Sequence, residues 1–372
     1  MKIQAIPKLN YQFHAYLLFF VIINTQIGIG IFSYERTIYQ IAGHDAWISV
    51  LLAGLVTHFM LWVIIRLLKK YESSDLYGIN YDLFGKWVGS LLNIMYMLYY
   101  LFVTAAILRN YIEVVQAWIF PDLSTWILAI LITLLSVYAA YGGIRVIIGM
   151  CVIGFVVIFL TAVFFYYPLR YVIWSQLFPI LEVNPMKIAH GATQMSFSLA
   201  GYEMLMLLYP YVRDKANAQK HTQISVLFTN IVYTSIMIIA ITYFSPCQLR
   251  RSIWPTINLL KIVKFSYLER IEFIVVSIWM LLALTGILLN MWAVTRGLNR
   301  MWGWKPKKMI WMISVLVIII AVYLESHEQI ESIGKWLGRG SLAYSYLYPL
   351  LLFVIAPIVF AVRKRKQAQE KR

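Results

Sequence analysis

The sequence predicts an all-α polytopic membrane protein with about ten transmembrane helices, arranged as two inverted halves of five. Three observations support this fold class. The 372 residues are 61% hydrophobic and only 13% charged, with a mean hydropathy of +0.73, whereas a soluble domain carries roughly a quarter charged residues. Apolar runs long enough to cross a bilayer recur along the whole chain. The first run of each half is interrupted by polar residues and glycines, which is typical of inverted-repeat transporters.

The apolar runs were measured against the length of about 20 residues that a helix needs to span a bilayer. They cover residues 11–34, 44–67, 87–111, 123–141, 144–167, 187–210, 222–244, 268–295, 308–324 and 342–362. Two shorter segments, 75–86 and 255–265, place apolar residues at helical spacing and are expected to lie at the membrane surface.

Span count and the positions of the breaks, without any residue-level repeat, suggest how the chain divides. Residues 1–372 form one predicted transmembrane domain. Within it, 11–167 is the first five-helix repeat, 187–362 is the second, and 363–372 is a basic cytoplasmic tail.

Basic residues set the predicted orientation. Most of the 32 lysines and arginines fall on one side of the spans, so the positive-inside rule places both termini in the cytoplasm. The net charge of +16 therefore reflects topology in a lipid bilayer, and no nucleic-acid partner is expected. Arg250, Arg251, Lys261 and Lys264 fall in a predicted outer loop. That loop is either a solvated segment with an interfacial helix or a docking surface for a partner.

The sequence carries no signature of an enzyme. It lacks a Walker sequence, a nucleophile elbow and paired carboxylates suited to hydrolysis. Its two cysteines, Cys151 and Cys247, suggest neither a disulfide framework nor a zinc site. We therefore predict no catalytic residue, no metal and no cofactor.

The break in the first span contains Thr25, Gly28 and Gly30. Each glycine destabilises a helix by about 1 kcal/mol relative to alanine. Backbone groups without a hydrogen-bond partner are tolerated within a membrane only where they line a cavity. One interpretation is an anion cradle, in which backbone amides approach a carboxylate at the positive end of the following half-helix. The alternative is close helix packing through small residues.

The break in the sixth span combines Ser196, Gly201 and Glu203. An ionised side chain at the bilayer centre costs a few kcal/mol, so Glu203 must be paired, protonated or facing water. It could attract a ligand ammonium or carry a proton. It could equally hydrogen-bond the exposed backbone of the broken first span as a structural lock.

Spans three and eight carry further candidates. In span three, Tyr96, Tyr99, Tyr100, Val103 and Thr104 fall near one face, which either walls a pocket or simply packs. Near the outer end of that span, Arg109 and Glu113 are expected to pair at i, i+4.

Thr285 lies in the middle of span eight. A threonine hydroxyl in that position can line a pocket, coordinate Na⁺ or bond its own helix backbone.

Several motifs together resemble the B subunit of spore germination receptors (GerAB-like proteins), a branch of the amino acid–polyamine–organocation (APC) superfamily. The resemblance runs over most of the chain. Its motifs are Asn24-Thr25-Gln26-Ile27-Gly28, Ser196 to Glu203, Trp254-Pro255-Thr256-Ile257 and Glu269-Arg270-Ile271-Glu272.

The resemblance implies a LeuT/APC-like fold with discontinuous helices 1 and 6, and a small amino-acid-like germinant held between spans one, three, six and eight. By position it implies pocket roles for Gly28, Val103, Leu199 and Thr285. It also implies two partners, an A-type membrane subunit and a C-type lipoprotein, and a location in the spore inner membrane. Span five contains no lysine, which counts against proton coupling of the kind found in some related permeases.

Three functions follow from these observations. The leading hypothesis is a germinant-sensing subunit that passes a conformational change to its partners, limited by the ligand's differential affinity for two states. The second is a proton- or sodium-coupled secondary amino acid transporter. The third is a component of a ligand-gated ion channel, although no ring of charge marks a filter.

Overall fold

The computed structural model describes residues 3–71, 73–263 and 270–370, apart from the side chains of 365–368 and 370. These residues are almost entirely helical, and the only strand-like feature among them is a bridge between Phe13 and Val212. The predicted residues Lys264 and Glu269 lie outside the described part of the chain.

The helices of the first five spans follow the order of the predicted runs. They are α1 (Leu17–Gln26), a 3₁₀ turn (Ile29–Phe32), α2 (Tyr34–Ala42), α3 (Ala46–Tyr71), α4 (Leu76–Trp118), α5 (Thr125–Tyr141) and α6 (Ile144–Phe164).

The second half begins with a helix in pieces and continues with longer helices. Its helices are α7 (Pro185–Gln194), α8 (Ser196–Leu199), a 3₁₀ turn (Tyr202–Met204), α9 (Leu205–Leu208), α10 (Ala218–Tyr243), α11 (Pro246–Arg251), α12 (Pro255–Leu260), α13 (Ile271–Ile278), α14 (Met280–Trp302), α15 (Pro306–Tyr323), α16 (His327–Ser341), a π-helical segment (Leu342–Leu347) and α17 (Tyr348–Glu370).

The polytopic membrane architecture is confirmed. Seven stretches of the described chain are long and apolar enough to cross a membrane. Two further predicted spans correspond to the shorter apolar helices α1 and α5. The remaining predicted span, the sixth, is divided among α7, α8 and α9.

The predicted surface segment 75–86 is joined to the third span but separated from it by a kink at Gly85. There the backbone has φ 73° and ψ −171°, a left-handed value that glycine adopts without a steric cost. A side chain at Gly85 would meet no atom within 4 Å, so backbone conformation rather than crowding accounts for the glycine. The predicted segment 255–265 contains the shorter helix α12.

The helices α11 and α16 were not predicted. α16 lies between the ninth and tenth predicted spans, and it begins with a capping box in which Ser326 and Gln329 satisfy each other's backbone amides. α16 has a charged face, which includes Glu331 and Lys335, so its sequence is not an apolar run. It packs against α4 and α8.

The broken helices lie at the centre of the bundle. α1 packs against α6 and α10, α14 packs against α4 and α6, and α3 packs against α7, α10 and α17. The largest fully buried side chains include several tyrosines, whose hydroxyls need hydrogen-bond partners in the interior. They are Tyr77, Tyr96, Tyr100, Tyr202, Tyr209 and Tyr233.

Candidate functional site

The first span is discontinuous where the sequence predicts a break. α1 ends at Gln26, and Ile27 (φ −91°, ψ 82°) and Gly28 (φ −113°, ψ −149°) leave the helical conformation. A side chain at Gly28 would meet no atom within 4 Å. The backbone at Gly28 therefore borders open space, although the neighbouring Ile27 and Ile29 are buried.

The sixth span is broken at Ala200 and Gly201. Ala200 is extended (φ −66°, ψ 171°), and Gly201 has φ 104°, a left-handed conformation that favours glycine. A Cβ atom at Gly201 would come within 2.5 Å of Thr25 Cβ. The sixth break thus lies directly against the first, and only a glycine permits this approach.

A second contact joins the two breaks. A Cβ atom at Gly30 would lie 3.2 Å from Ser198 Oγ, so Gly30 also brings its backbone close to the sixth span. Thr25, Gly30 and Gly201 are therefore brought together. Gly30 and Gly201 permit close packing, which is the second of the two sequence interpretations. Gly28 lies beside open space, and an anion cradle at that position stays a prediction.

Gln26 connects the breaks by hydrogen bonding. Its side-chain Nε2 donates to the backbone carbonyl of Leu199 at 2.8 Å. The backbone carbonyl of Gln26 accepts a hydrogen bond from Tyr233 Oη at 2.8 Å. Tyr34 Oη in turn donates to the carbonyl of Tyr233 at 2.5 Å. Three backbone carbonyls within the bundle are thereby satisfied, as backbone groups inside a membrane require.

Sequence reasoning did not assign roles to Gln26, Tyr34 or Tyr233. Gln26 carried a local signal, because it is a long polar side chain in an apolar run. Tyr233 carried none, because its role depends on how α10 packs against α1.

Glu203 is buried, with 1% of its surface exposed. Its Oε2 accepts a hydrogen bond from the backbone N–H of Gly201 at 2.8 Å. One of the predicted roles was a hydrogen bond from Glu203 to the broken first span. In the structure the carboxyl group instead accepts from the broken backbone of its own span, at Gly201. A left-handed glycine leaves its N–H without a helical partner, and Glu203 supplies one.

Thr285 lies beside the first span. Its Oγ1 is 3.2 Å from Asn24 Oδ1 and 2.8 Å from the carbonyl of Leu282 in its own helix. Asn24 Nδ2 donates to the carbonyl of Cys151 at 2.7 Å, so these groups connect α14, α1 and α6. A Cβ atom at Gly154 would lie 2.0 Å from Asn24 Oδ1, which explains the glycine in α6.

Two predicted site residues have other contacts. Ser196 Oγ donates to the carbonyl of Gly338 at 3.2 Å and accepts from Ser341 Oγ at 3.2 Å, so it faces α16. Val103 is half-buried on α4 and packs against the apolar core. A ligand-binding role for either residue stays a prediction.

The tyrosines of span three are buried together. The rings of Tyr96 and Tyr99 lie 4.9 Å and 4.7 Å from that of Tyr344. Tyr100 Oη and Gln26 Oε1 are two of several buried polar atoms of the described residues that have no hydrogen-bond partner. Unsatisfied polar atoms are costly in a protein interior, and these two could bind the polar groups of a small ligand.

The predicted pair between Arg109 and Glu113 is wrong. Arg109 instead donates to the carbonyls of Leu324 at 2.5 Å and Glu325 at 3.1 Å, at the end of α15. Glu113 contacts His327 Nδ1 at 2.5 Å. The alternative partners come from a connection between spans nine and ten that local spacing cannot reveal.

The chain matches the model of a family described as "Spore germination protein" over residues 12–330. It is 35% identical over 356 residues to the spore germination protein GerQB of Bacillus cereus, covering 96% of this chain and 99% of that protein. It is also 22% identical to the spore germination protein A2 of Bacillus subtilis (strain 168), over 91% of this chain and 93% of that protein.

A solved structure shares the fold. It is a substrate-bound, outward-open state of a Na⁺-coupled sialic acid symporter, with a TM-score of 0.69 and 14% sequence identity. The match covers 93% of this chain and 80% of the symporter chain. The LeuT/APC-like fold with discontinuous helices 1 and 6 is thereby confirmed, and at this identity the likeness concerns the fold alone.

Proposed function

The chain belongs to the spore germination protein family, and we propose that it is the germinant-sensing membrane subunit of a spore germination receptor. The proposed ligand is a small amino-acid-like germinant, bound where the two helix breaks meet. The observation that carries this proposal is the combination of open space at Gly28 with the contact between Thr25 and Gly201. Broken helices that meet at midspan are the usual substrate site of this fold.

The proposed ligand orientation follows from the backbone. The 3₁₀ turn Ile29–Phe32 begins immediately after Gly28, so the N–H groups at its start present partial positive charge to a ligand carboxylate. Gln26 Oε1 and Tyr100 Oη are unsatisfied polar atoms that can accept from a ligand ammonium. Leu199, Val103 and Thr285 are proposed to border the same site.

The proposed assembly follows the family. We assign the chain an A-type membrane subunit and a C-type lipoprotein as partners, in the inner membrane of a bacterial spore, with both termini in the cytoplasm. The basic residues on the proposed cytoplasmic side and the tail that begins at Arg363 support this orientation. The division into repeats 11–167 and 187–362 is part of the same proposal.

The alternative function is secondary transport of an amino acid, coupled to protons or sodium. The observation that favours it is the fold shared with a Na⁺-coupled symporter. A sensor that has kept a transporter's site and a working permease present the same binding geometry. Only net movement of the ligand across a membrane distinguishes them.

The test is to measure binding and uptake of radiolabelled small neutral amino acids by the purified protein in liposomes. Saturable binding without accumulation, lost in Gly28→Val, is the expected result. Gly149→Val is the matched control, because a side chain at Gly149 in α6 also meets no atom within 4 Å. Equal binding by the wild type and Gly28→Val would contradict the site, and accumulation driven by an ion gradient would support the permease.

A further inference from the structure

The motif Trp254-Pro255-Thr256-Ile257 places a hydroxyl between two oxygen atoms, one in the turn Ile29–Phe32 and one in α2. α12 packs against α2 and against the turn Ile29–Phe32. Thr256 Oγ1 lies 2.8 Å from the carbonyl oxygen of Ile31 and is in hydrogen-bond contact with Oε1 of Glu35. All three groups are buried.

A threonine hydroxyl has one proton to donate. The carbonyl of Ile31 can only accept, and an ionised Glu35 could also only accept. Thr256 Oγ1 could then donate to only one of these two oxygens, and its contact with the other would have no proton between the two oxygen atoms. A neutral carboxylic acid resolves this conflict, because Glu35 then donates to Thr256 Oγ1 and Thr256 donates to Ile31. Each proton of this chain of hydrogen bonds has one acceptor.

The surroundings of Glu35 disfavour a negative charge. Its side chain is 0% exposed, and Oε2 has no hydrogen-bond partner among the described residues. None of the ion pairs between described residues involves it. A buried carboxylate without a cation or a full set of donors is strongly disfavoured.

The titratable groups on the elements packed against α2 do not offset that charge. Tyr34 and Tyr233 are buried phenols that contact each other. The Arg36 guanidinium donates to the backbone carbonyl of Arg250 in α11, and the side chains of Arg250 and Arg251 are exposed. In the 3₁₀ turn after α2, Asp45 accepts from the backbone N–H groups of Leu181 and Val183, and His44 lies against the ring of Tyr39. His58 of α3 contacts Gln223, and Glu272 of α13 is paired with Arg270. α12 itself carries no ionisable side chain. The charged residues of α7, which also packs on α2, are exposed; they are Lys187 and His190.

We propose that Glu35 is a proton-binding site of this protein. While α12 covers the outer half of the first span, Glu35 holds a proton as a neutral acid and donates it to Thr256. Without α12, the carboxyl would lose this acceptor and meet water, and the proton would pass to water and leave a carboxylate. Proton binding at Glu35 is thereby coupled to the packing of α12 against α2, independently of which ligand occupies the helix breaks.

The first test is infrared spectroscopy of the purified protein at neutral pH, with glutamate labelled with ¹³C. The spectrum of the wild type should contain the C=O stretch of a protonated carboxyl group that is absent from Glu35→Gln. The same component should persist in Glu272→Gln, the control, whose carboxylate is paired with Arg270. Identical spectra for the wild type and Glu35→Gln would overturn the proposal.

The second test uses the hydrogen-bonding capacity of glutamine. The amide of Glu35→Gln donates to Thr256 as a carboxylic acid does, so this variant should be about as stable as the wild type below about pH 4, where the unfolded glutamate also holds its proton, and more stable than the wild type at neutral pH. Thr256→Val, which leaves Glu35 and Ile31 without a shared partner, should unfold at a lower temperature. A Glu35→Gln variant that is less stable than the wild type at neutral pH, or that fails to fold, would contradict a protonated Glu35.

The pH dependence has a defined sign. An unfolded glutamate releases its proton near pH 4.3, whereas folded Glu35 keeps it. Above that pH the folded state binds one proton more than the unfolded state, so wild-type stability falls as pH rises. The unfolding constant of the wild type relative to Glu35→Gln should rise by about tenfold per pH unit until folded Glu35 ionises. Parallel profiles for the two proteins would overturn the proposal.

Discussion

The side-chain amide of Gln26 donates a hydrogen bond across 2.8 Å to the carbonyl of Leu199, and so connects the end of α1 to the end of α8. Both groups are buried at interruptions where the helices no longer satisfy their own backbone. The two discontinuous spans are therefore held at a defined separation by a direct bond rather than by apolar packing alone.

We expect Gln26→Leu to lower the free energy of unfolding by about 1–3 kcal/mol, because it leaves the buried carbonyl of Leu199 without a donor. Thermal unfolding in detergent measures this. Gln40→Leu is the control: Gln40 donates to the carbonyl of Arg250 at 3.0 Å, but that bond is exposed, so its loss should change stability little. If both substitutions change the free energy of unfolding equally, the hydrogen bond between the breaks stabilises the protein no more than an exposed hydrogen bond does.

Gly201→Ala should destabilise the protein more than an ordinary helix substitution. The left-handed backbone costs a non-glycine residue about 1–2 kcal/mol, and the new methyl group would lie 2.5 Å from Thr25 Cβ. The expected result is a lower unfolding temperature and weaker ligand binding, because the two breaks are pushed apart. Gly149→Ala is the control, since it adds a methyl group in open space on α6. An unchanged unfolding temperature in Gly201→Ala would contradict close contact between the breaks.

The positions of both breaks could be predicted from the sequence, whereas the contacts between them could not. Polar residues and glycines inside an apolar run do not suit a helix that faces lipid. This signal lies within a few neighbouring residues, so it can be read from the sequence. The partners that resolve it are remote: Gln26 and Leu199 are 173 positions apart, and Gln26 and Tyr233 are 207 apart. Such partners become known only when helix packing is known.

Glu35 shows a second limit of sequence reasoning. The predicted first span ended at residue 34, so Glu35 fell in a polar segment after it, where an acid is expected to be solvated. In the structure α2 continues to Ala42, and α7, α11 and α12 pack against it. The burial of Glu35 thus depends on helices of the second half, which no local pattern near Glu35 indicates.

Glu203 can be tested with two substitutions that separate its charge from its hydrogen bond. Glu203→Gln keeps an oxygen that accepts from the N–H of Gly201, so the protein should fold with nearly unchanged stability. Glu203→Leu removes that acceptor and should cost about 1–3 kcal/mol of unfolding free energy. Thermal unfolding checks this order, and a Glu203→Leu variant as stable as the wild type would contradict the structural role.

Ligand binding by the same variants decides whether the charge of Glu203 is used. If a carboxylate attracts the ammonium group of the ligand, Glu203→Gln should weaken binding by about tenfold or more, since charge-assisted hydrogen bonds contribute roughly 1.5–3 kcal/mol. Equilibrium binding of a radiolabelled amino acid to the purified protein measures this. If Glu203→Gln binds the ligand with wild-type affinity, the charge of Glu203 is not used in binding, and its role is the hydrogen bond to Gly201.

Asp214 provides a pH-dependent contact near the start of the first span. Partial burial alone would raise the pKa of its carboxyl group. Hydrogen bonds from the backbone amide of Ala15 and the side chain of Asn217 oppose this effect, as does the nearby His14. The net result is a pKa below the ordinary value for aspartate. A lowered folded pKa contributes stability that is present above the unfolded pKa of about 3.9 and is lost as pH falls through the folded value. The unfolding temperature of the wild type should therefore fall more steeply than that of Asp214→Asn between pH 5 and pH 3, by an amount limited by solvent exposure. Identical slopes for the two proteins would show that Asp214 has the same pKa in the folded and unfolded states.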